Sequence, residues 1–121
     1  MSYDNNNIFA KILRGEISCD KIYEDDFVLS FYDINPQKKI HALVIPKGQY
    51  VNLDDFSIYA SPEEMVGLLK GINIVANKLG ISADAGKGYR ALANVSEDGG
   101  QEVPHLHFHL FGGEKVGKMV E

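Results

Sequence analysis

The segment from Pro104 to Leu110 constrains the fold of this chain more than any other part of the sequence, because two kinds of side chain alternate along it. The histidines are His105, His107 and His109, and the apolar residues are Leu106, Phe108 and Leu110. Successive side chains of a β-strand point to opposite faces of the sheet. The alternation therefore predicts a strand over residues 103–111, with one apolar face on a core and one histidine face toward a cleft or solvent.

Other apolar runs, bounded by turn residues, predict four more strands and two helices. The predicted strands are residues 21–24, 27–32, 40–45 and 89–95, and the predicted helices are residues 8–14 and 62–79. Residues 49–60 are expected to be irregular. One short and one long helix packed on a five-stranded antiparallel sheet give an α+β fold.

The long helix has the clearest start and stop signals. Ser61 is the expected N-cap, Pro62 the first helical residue, and Glu64 completes a capping box, while Gly80 ends the helix. Its apolar residues recur at three- and four-residue spacing, which predicts one buried stripe. The stripe contains Met65, Leu68, Leu69, Ile72, Val75, Ala76 and Leu79.

Size and charge narrow the possible partners. The 121 residues suit a single domain over 1–121, with residues 1–6 and 114–121 expected to be loosely ordered. The net charge of -5 argues against a nucleic-acid groove, and no apolar run approaches the ~20 residues of a membrane span. The polar N-terminus is not expected to be a signal peptide, and the one cysteine, Cys19, suits a reducing compartment. We expect a cytoplasmic protein that binds neither nucleic acid nor membranes.

The histidine row has three interpretations. It could be a solvated polar face. It could hold zinc, whose ligand nitrogens lie ~2.0–2.1 Å from the ion. Strand residues rise ~3.3 Å each, so the Cα atoms of His105 and His109 lie about 13 Å apart, and three histidines on a nearly straight strand can hardly reach one ion. Two of the row together with His41 could still form a metal site. Finally, an imidazole whose N–H is fixed offers its other nitrogen as a nucleophile or base, which suits transfer at phosphorus. Gly99 and Gly100 precede the row and could turn backbone N–H groups toward a phosphate.

The row His105-Leu-His107-Phe-His109-Leu-Phe111 resembles the signature of the HIT, or histidine triad, family: three histidines separated by single apolar residues. Matching segments run from Ile8 to Gly113 and make the chain most similar to the Hint branch of purine nucleoside phosphoramidases. The resemblance implies a homodimer whose sheets join across the interface, and an AMP-like purine nucleotide as ligand. It requires no cofactor, and we expect no metal.

The resemblance also implies roles for individual residues. His107 corresponds to the nucleophile that forms a nucleotidyl-histidine, flanked by His105 and His109, with His41 as the fourth catalytic histidine. Further nucleotide contacts are implied for Asp33 at the ribose hydroxyls, Ile34 beside the nucleoside, and Asn94, Gly100, Gln101 and Glu102 near the phosphate. Without the resemblance, Asp33 reads as a turn residue, His41 as a core histidine and Asn94 as a loop residue.

Three positions depart from the family pattern. Asn7 and Ala10 replace a cysteine pair that binds a structural zinc in many relatives, and Glu102 replaces a serine near the phosphate. The tail after Gly113 lacks the aromatic and proline residues of close relatives. The expected function is hydrolysis of nucleoside 5'-phosphoramidates such as AMP-amines. The alternatives are a dinucleoside polyphosphate hydrolase and a nucleotide-binding interaction module with weak activity.

Overall fold

A computed structural model describes residues 1–120 and shows one antiparallel sheet of five strands. The strands are β1 (Lys21–Glu24), β2 (Val28–Tyr32), β3 (Ile40–Pro46), β4 (Arg90–Leu92) and β5 (Phe108–Gly112). Their order across the sheet is β1-β2-β3-β5-β4, so β3 and β5 are central neighbours and β1 and β4 are edges. The α+β class and the five-stranded antiparallel sheet are confirmed.

Three α-helices accompany the sheet: α1 (Ile8–Leu13), α2 (Leu53–Tyr59) and α3 (Pro62–Lys78). The prediction that residues 49–60 are irregular is wrong, because α2 lies within them. Its N-cap is Asn52, whose side chain accepts a hydrogen bond from the Asp55 N–H at 2.9 Å. Only seven residues long, α2 is too short to show helical periodicity in the sequence. No helix within residues 1–120 is both long and apolar enough to cross a membrane.

Helix α3 begins as predicted. Ser61 and Glu64 form both hydrogen bonds of the capping box. The buried stripe contains Leu68, Ile72, Val75 and Ala76, but Leu69 is 66% exposed, which corrects its predicted place in the core. Successive residues of an α-helix are rotated by about 100° around the helix axis, so Leu69 points to the flank of the stripe that contains its neighbour Leu68.

Both faces of the sheet are covered. Alternate residues of β3 divide between two apolar clusters: Ala42 and Val44 pack in the cluster under α3, and Leu43 and Ile45 pack in the cluster that includes Phe9 of α1. Leu106 and Leu110 belong to the α3 cluster, as the alternation predicts. The histidines that alternate with them therefore lie on the α1 side of the sheet.

Strand β5 is shorter than predicted. It begins at Phe108, so His105 and His107 lie just before the regular strand. The chain bends at 103–105, where the His105 N–H donates to the Val103 carbonyl at 2.9 Å, and Pro104 has no N–H for a sheet ladder. Strand β4 is likewise limited to Arg90–Leu92, because the chain leaves the sheet before Asn94.

Candidate active site

A recess of about 520 Å³ opens on the α1 side of the sheet. One part of its wall is apolar and includes Ile8, Phe9, Ile12 and Ile17. Another part is polar and brings together residues from the end of β2, from β5 and the residue before it, and from the loop after β4. Those residues are Asp33, Asn94, Glu102, His107 and His109. The recess therefore combines a hydrophobic slot with convergent polar groups, as small-molecule sites do.

His107 is held in one tautomer. Its Nδ1 lies 2.7 Å from the backbone oxygen of His105, and because a carbonyl oxygen only accepts, Nδ1 carries the proton. Burial lowers the pKa of His107 below its usual value, although the hydrogen bond to His105 acts in the opposite direction. The ring is therefore neutral near pH 7, with a lone pair on Nε2, as a nucleophilic imidazole requires.

His109 is held in the opposite tautomer through His41. The Gln37 N–H donates to His41 Nδ1 at 3.2 Å, so neutral His41 has its proton on Nε2. That nitrogen lies 2.9 Å from His109 Nδ1, which must then accept, and the proton of neutral His109 resides on Nε2. Burial, together with the neighbouring His107 and His41, lowers the pKa of His109 to about 4. Adjacent rings thus offer a lone pair at His107 and an N–H at His109.

His105 does not face the recess, which corrects the expectation that all three histidines point into a cleft. It is fully buried. Its Nε2 donates to the Pro46 carbonyl at 2.9 Å, and its Nδ1 lies 2.6 Å from the Tyr3 hydroxyl. The N-terminal residues and Phe9 cover this end of the histidine row, a consequence of contacts remote in sequence that alternation cannot reveal.

Asp33 and Ile34 follow β2 and lie at the recess. Asp33 Oδ1 accepts the Asn35 N–H at 2.8 Å, so its interpretation as a turn residue is correct locally. The other carboxylate oxygen lies 3.4 Å from His41 Nε2. Ile34 is 87% exposed and lines the rim. His41 is 2% exposed, so it is both a buried histidine and a neighbour of the site.

Two backbone N–H groups of the glycine-containing loop are used within the loop itself and are not free for a phosphate. The Gly100 N–H donates to Glu97 O and the Gln101 N–H donates to Ser96 O, both at 3.0 Å, so these two groups close a turn. The Gln101 side chain also serves the loop: its amide nitrogen donates to the carbonyls of Val51 and Val103 at 2.7 and 2.9 Å. The structure therefore brings Gly100 to the recess wall but not Gln101.

Two groups of residues bear on metal binding. Ligand atoms of Asp33, His41 and His109 lie within 4.8 Å of one another. The Gln37 N–H on His41 Nδ1 forces the proton onto Nε2, however, and this proton occupies the nitrogen that a metal would need. At α1, Asn7 caps the helix by accepting the Ala10 N–H at 2.9 Å, and neither residue carries a thiolate.

Comparisons with known proteins agree with this geometry. The family model of the HIT domain matches residues 14–116. An uncharacterized 13.2 kDa HIT-like protein of Azospirillum brasilense is 52% identical over 119 residues, covering 98% of this chain and 95% of the relative. The purine nucleoside phosphoramidase of Escherichia coli (strain K12) is 41% identical over 114 residues, covering 93% and 92%.

Solved structures show the same relationship at the level of the fold. A HIT family hydrolase from Clostridium thermocellum superimposes with a TM-score of 0.85 at 36% sequence identity, covering 98% of this chain and 99% of that one. A histidine triad protein from Clostridium difficile gives a TM-score of 0.81 at 39% identity, covering 97% and 98%. The chain therefore belongs to the HIT family.

Proposed function

We propose that this protein hydrolyses the P–N bond of purine nucleoside 5'-phosphoramidates, such as AMP linked to an amine, through a nucleotidyl-histidine at His107. The observation that carries the proposal is the 2.7 Å hydrogen bond from His107 Nδ1 to the His105 carbonyl, which leaves Nε2 as a nucleophile at the recess. The name of the E. coli relative, purine nucleoside phosphoramidase, supports the same substrate class.

The two parts of the recess wall suit the two ends of a nucleotide. A purine base is flat and largely apolar on its faces, and the slot formed by Ile8, Phe9 and Ile12 matches it. Asp33 lines the same recess, and its carboxylate can accept hydrogen bonds from ribose hydroxyls. The phosphate then lies against His107 and His109, where an N–H can donate to its oxygens.

The reaction consists of two displacements. His107 Nε2 attacks the phosphorus, and the P–N bond breaks with its electron pair leaving on the amine nitrogen. The His109 Nε2–H donates a hydrogen bond to the phosphoryl oxygens, and the amine nitrogen takes up a proton from solvent as it leaves. Water then attacks the phosphorus of the nucleotidyl-histidine, loses a proton to solvent and releases AMP with His107 regenerated. Fixed orientation of the reacting groups supplies most of the rate enhancement in such a site.

The exposed carboxylate of Glu102 favours this substrate over a dinucleoside polyphosphate. Glu102 lines the recess with His107 and Asn94, and its negative charge repels a second and third phosphate group more than it repels a single one. A nucleotide-binding interaction module is the remaining alternative. A complete set of four histidines in matched tautomers favours an enzyme over a binding module, because binding alone does not require that order.

The decisive experiment measures AMP release from adenosine 5'-phosphoramidate by the wild-type protein and by His107→Ala. We expect turnover by the wild type and a loss of at least about a thousandfold in the variant. Tyr23→Phe is a control, since its hydroxyl bonds Asp25 away from the recess. Release of AMP by His107→Ala at the wild-type rate would exclude the mechanism, and nucleotide binding without turnover would favour the interaction module.

Assembly and location remain predictions. The homodimer implied by the family resemblance needs an edge at which two sheets can join, and β4 leaves one side of its backbone without a partner strand within residues 1–120. Light scattering after gel filtration measures the mass in solution, and a monomeric mass would contradict the dimer. A cytoplasmic location and the absence of a cofactor likewise stay predictions.

A further inference from the structure

His105 is buried behind the recess, yet both of its ring nitrogens have partners. Its Nε2 lies 2.9 Å from the Pro46 carbonyl oxygen, which can only accept, so Nε2 carries the ring proton. Its Nδ1 then accepts from the Tyr3 hydroxyl at 2.6 Å. Burial lowers the pKa of His105 to about 4, so the ring is neutral near pH 7, as this arrangement requires.

The backbone of the same residue holds the nucleophile. The His105 carbonyl accepts the His107 Nδ1–H at 2.7 Å and so determines the tautomer of His107. His105 precedes β5, and its own N–H donates only within a local bend, to Val103. The position of its carbonyl therefore depends strongly on the side-chain bonds that anchor the residue on both sides.

Tyr3 is itself held in place by its neighbours. Its ring packs edge-on against His105, with centroids 5.6 Å apart. Two residues further on, Asn5 accepts hydrogen bonds from Gln49 at 3.0 Å and from Arg14 at 2.8 Å. These two bonds tie the N-terminal segment to Gln49 and to Arg14 at the end of α1, and they help to keep the Tyr3 hydroxyl directed at His105.

We propose that Tyr3 is a positioning residue for the nucleophile: its hydroxyl fixes His105, and His105 fixes His107. The proposal rests on the proposed function in taking His107 as the nucleophile. Without the hydroxyl, the buried Nδ1 of His105 loses its donor, and an unpaired buried acceptor drives the ring to a new position. The His105 carbonyl moves with it, and His107 spends less time in the attacking orientation.

The test compares Tyr3→Phe with the wild type in hydrolysis of adenosine 5'-phosphoramidate. We expect kcat to fall about five- to tenfold, the loss of one hydrogen bond acting on the chemical step, and KM to change by less than about twofold. Tyr23→Phe removes a hydroxyl that bonds Asp25 outside the recess, and it should retain the wild-type kcat.

The pH profile separates positioning from a general loss of stability. The hydrogen bond to His105 raises the pKa of His107, as do the nearby carboxylates of Asp33 and Glu102, which the variant leaves unchanged. A weakened bond therefore moves the acidic limb of the kcat/KM profile to lower pH in Tyr3→Phe. A wild-type kcat together with an unmoved acidic limb would overturn the proposal.

Nitrogen NMR of the histidine rings tests Tyr3 without relying on turnover. In the wild type we expect an unprotonated Nδ1 on His105 and an unprotonated Nε2 on His107. In Tyr3→Phe both signals should shift, and those of His109 much less. A wild-type His105 with its proton on Nδ1 would refute the assignment. Unchanged histidine signals in the variant would refute it as well, whereas failure of the wild type to hydrolyse any phosphoramidate would refute only the proposed function.

Discussion

His41 Nε2 lies 2.9 Å from His109 Nδ1, and this contact joins a buried histidine of β3 to the recess-lining histidine of β5. The direction of the bond follows from Gln37, whose N–H occupies the other nitrogen of His41. His41 therefore donates, and His109 keeps its own proton on Nε2. A residue that lines no part of the recess thus determines which nitrogen of His109 can donate a hydrogen bond there.

This relationship predicts the effect of replacing His41. His41→Leu removes the donor to His109 Nδ1, so His109 can adopt either tautomer, and we expect kcat to fall by about a hundredfold, the usual size for the loss of one oriented hydrogen-bond donor at the reacting group. His41→Gln carries an amide N–H that can replace the donor, and should lose less. Steady-state assays with adenosine 5'-phosphoramidate measure both. Equal losses in the two variants would contradict a role for the donated hydrogen bond.

The buried histidines predict a stability that falls as the solution becomes acidic. The pKa values of His105 and His109 are lowered to about 4 from an ordinary 6.5, so between these values the unfolded chain binds more protons than the folded one. The contribution of these two histidines to the free energy of unfolding has its full value above pH 6.5 and declines as the pH falls toward 4. The slope is up to about 1.4 kcal/mol per pH unit for each excess proton.

Urea denaturation at a series of pH values measures this decline. The informative range lies just below 6.5, above the pH at which carboxylates titrate. Glutamine does not ionise in this range, so in His105→Gln, if it folds, the free energy of unfolding should fall less steeply with decreasing pH than in the wild type. If the free energy of unfolding of the wild type stayed constant as the pH fell below 6.5, these rings would bind protons equally well in the folded and unfolded states.

Gly100 and Gly15 form a matched pair of substitutions. Both have a positive φ, +74° and +79°, and a Cβ at either position would meet no atom within 4 Å. Gly100→Ala and Gly15→Ala should therefore each cost about 1 kcal/mol of backbone strain. Only Gly100 lines the recess, so only Gly100→Ala should also lower kcat/KM. Thermal denaturation and hydrolysis assays report the two effects, and equal activity in both variants would place Gly100 outside the substrate's reach.

Replacement of Glu102 is expected to strengthen ligand binding, whereas the substitutions above weaken activity. Its carboxylate lines the recess with His107, so Glu102→Gln removes a negative charge close to the bound phosphate. We expect AMP to bind about three- to tenfold more tightly at low salt, with a smaller gain at high salt, where exposed charges are screened. Calorimetric titration with AMP measures this.

A second glutamate of the same loop provides the control. Glu97 is exposed and does not line the recess, so Glu97→Gln should change AMP affinity little. The carboxylate of Glu102 also helps to raise the pKa of His107, so its removal should move the acidic limb of hydrolysis to lower pH. Weaker AMP binding by Glu102→Gln would show that the side chain supports the ligand rather than repels it.

The sequence by itself determined the parts of this protein that depend on local periodicity. Alternation around Leu106 and Leu110 assigned the apolar face of β5 correctly, and the signals at Ser61 and Glu64 placed the start of α3 at the right residue. Period two and period 3.6 are properties of the backbone, so a short stretch of chain carries them without reference to anything distant.

Only the tertiary structure decided what covers each face. His105 and His107 share the same alternation, yet Tyr3, from the other end of the chain, buries the first and leaves the second at the recess. Gln101 resembles a ligand contact in sequence but donates to carbonyls of Val51 and Val103 in the fold. Such contacts join residues far apart along the chain, and they leave no periodic signal because they depend on how separate elements pack.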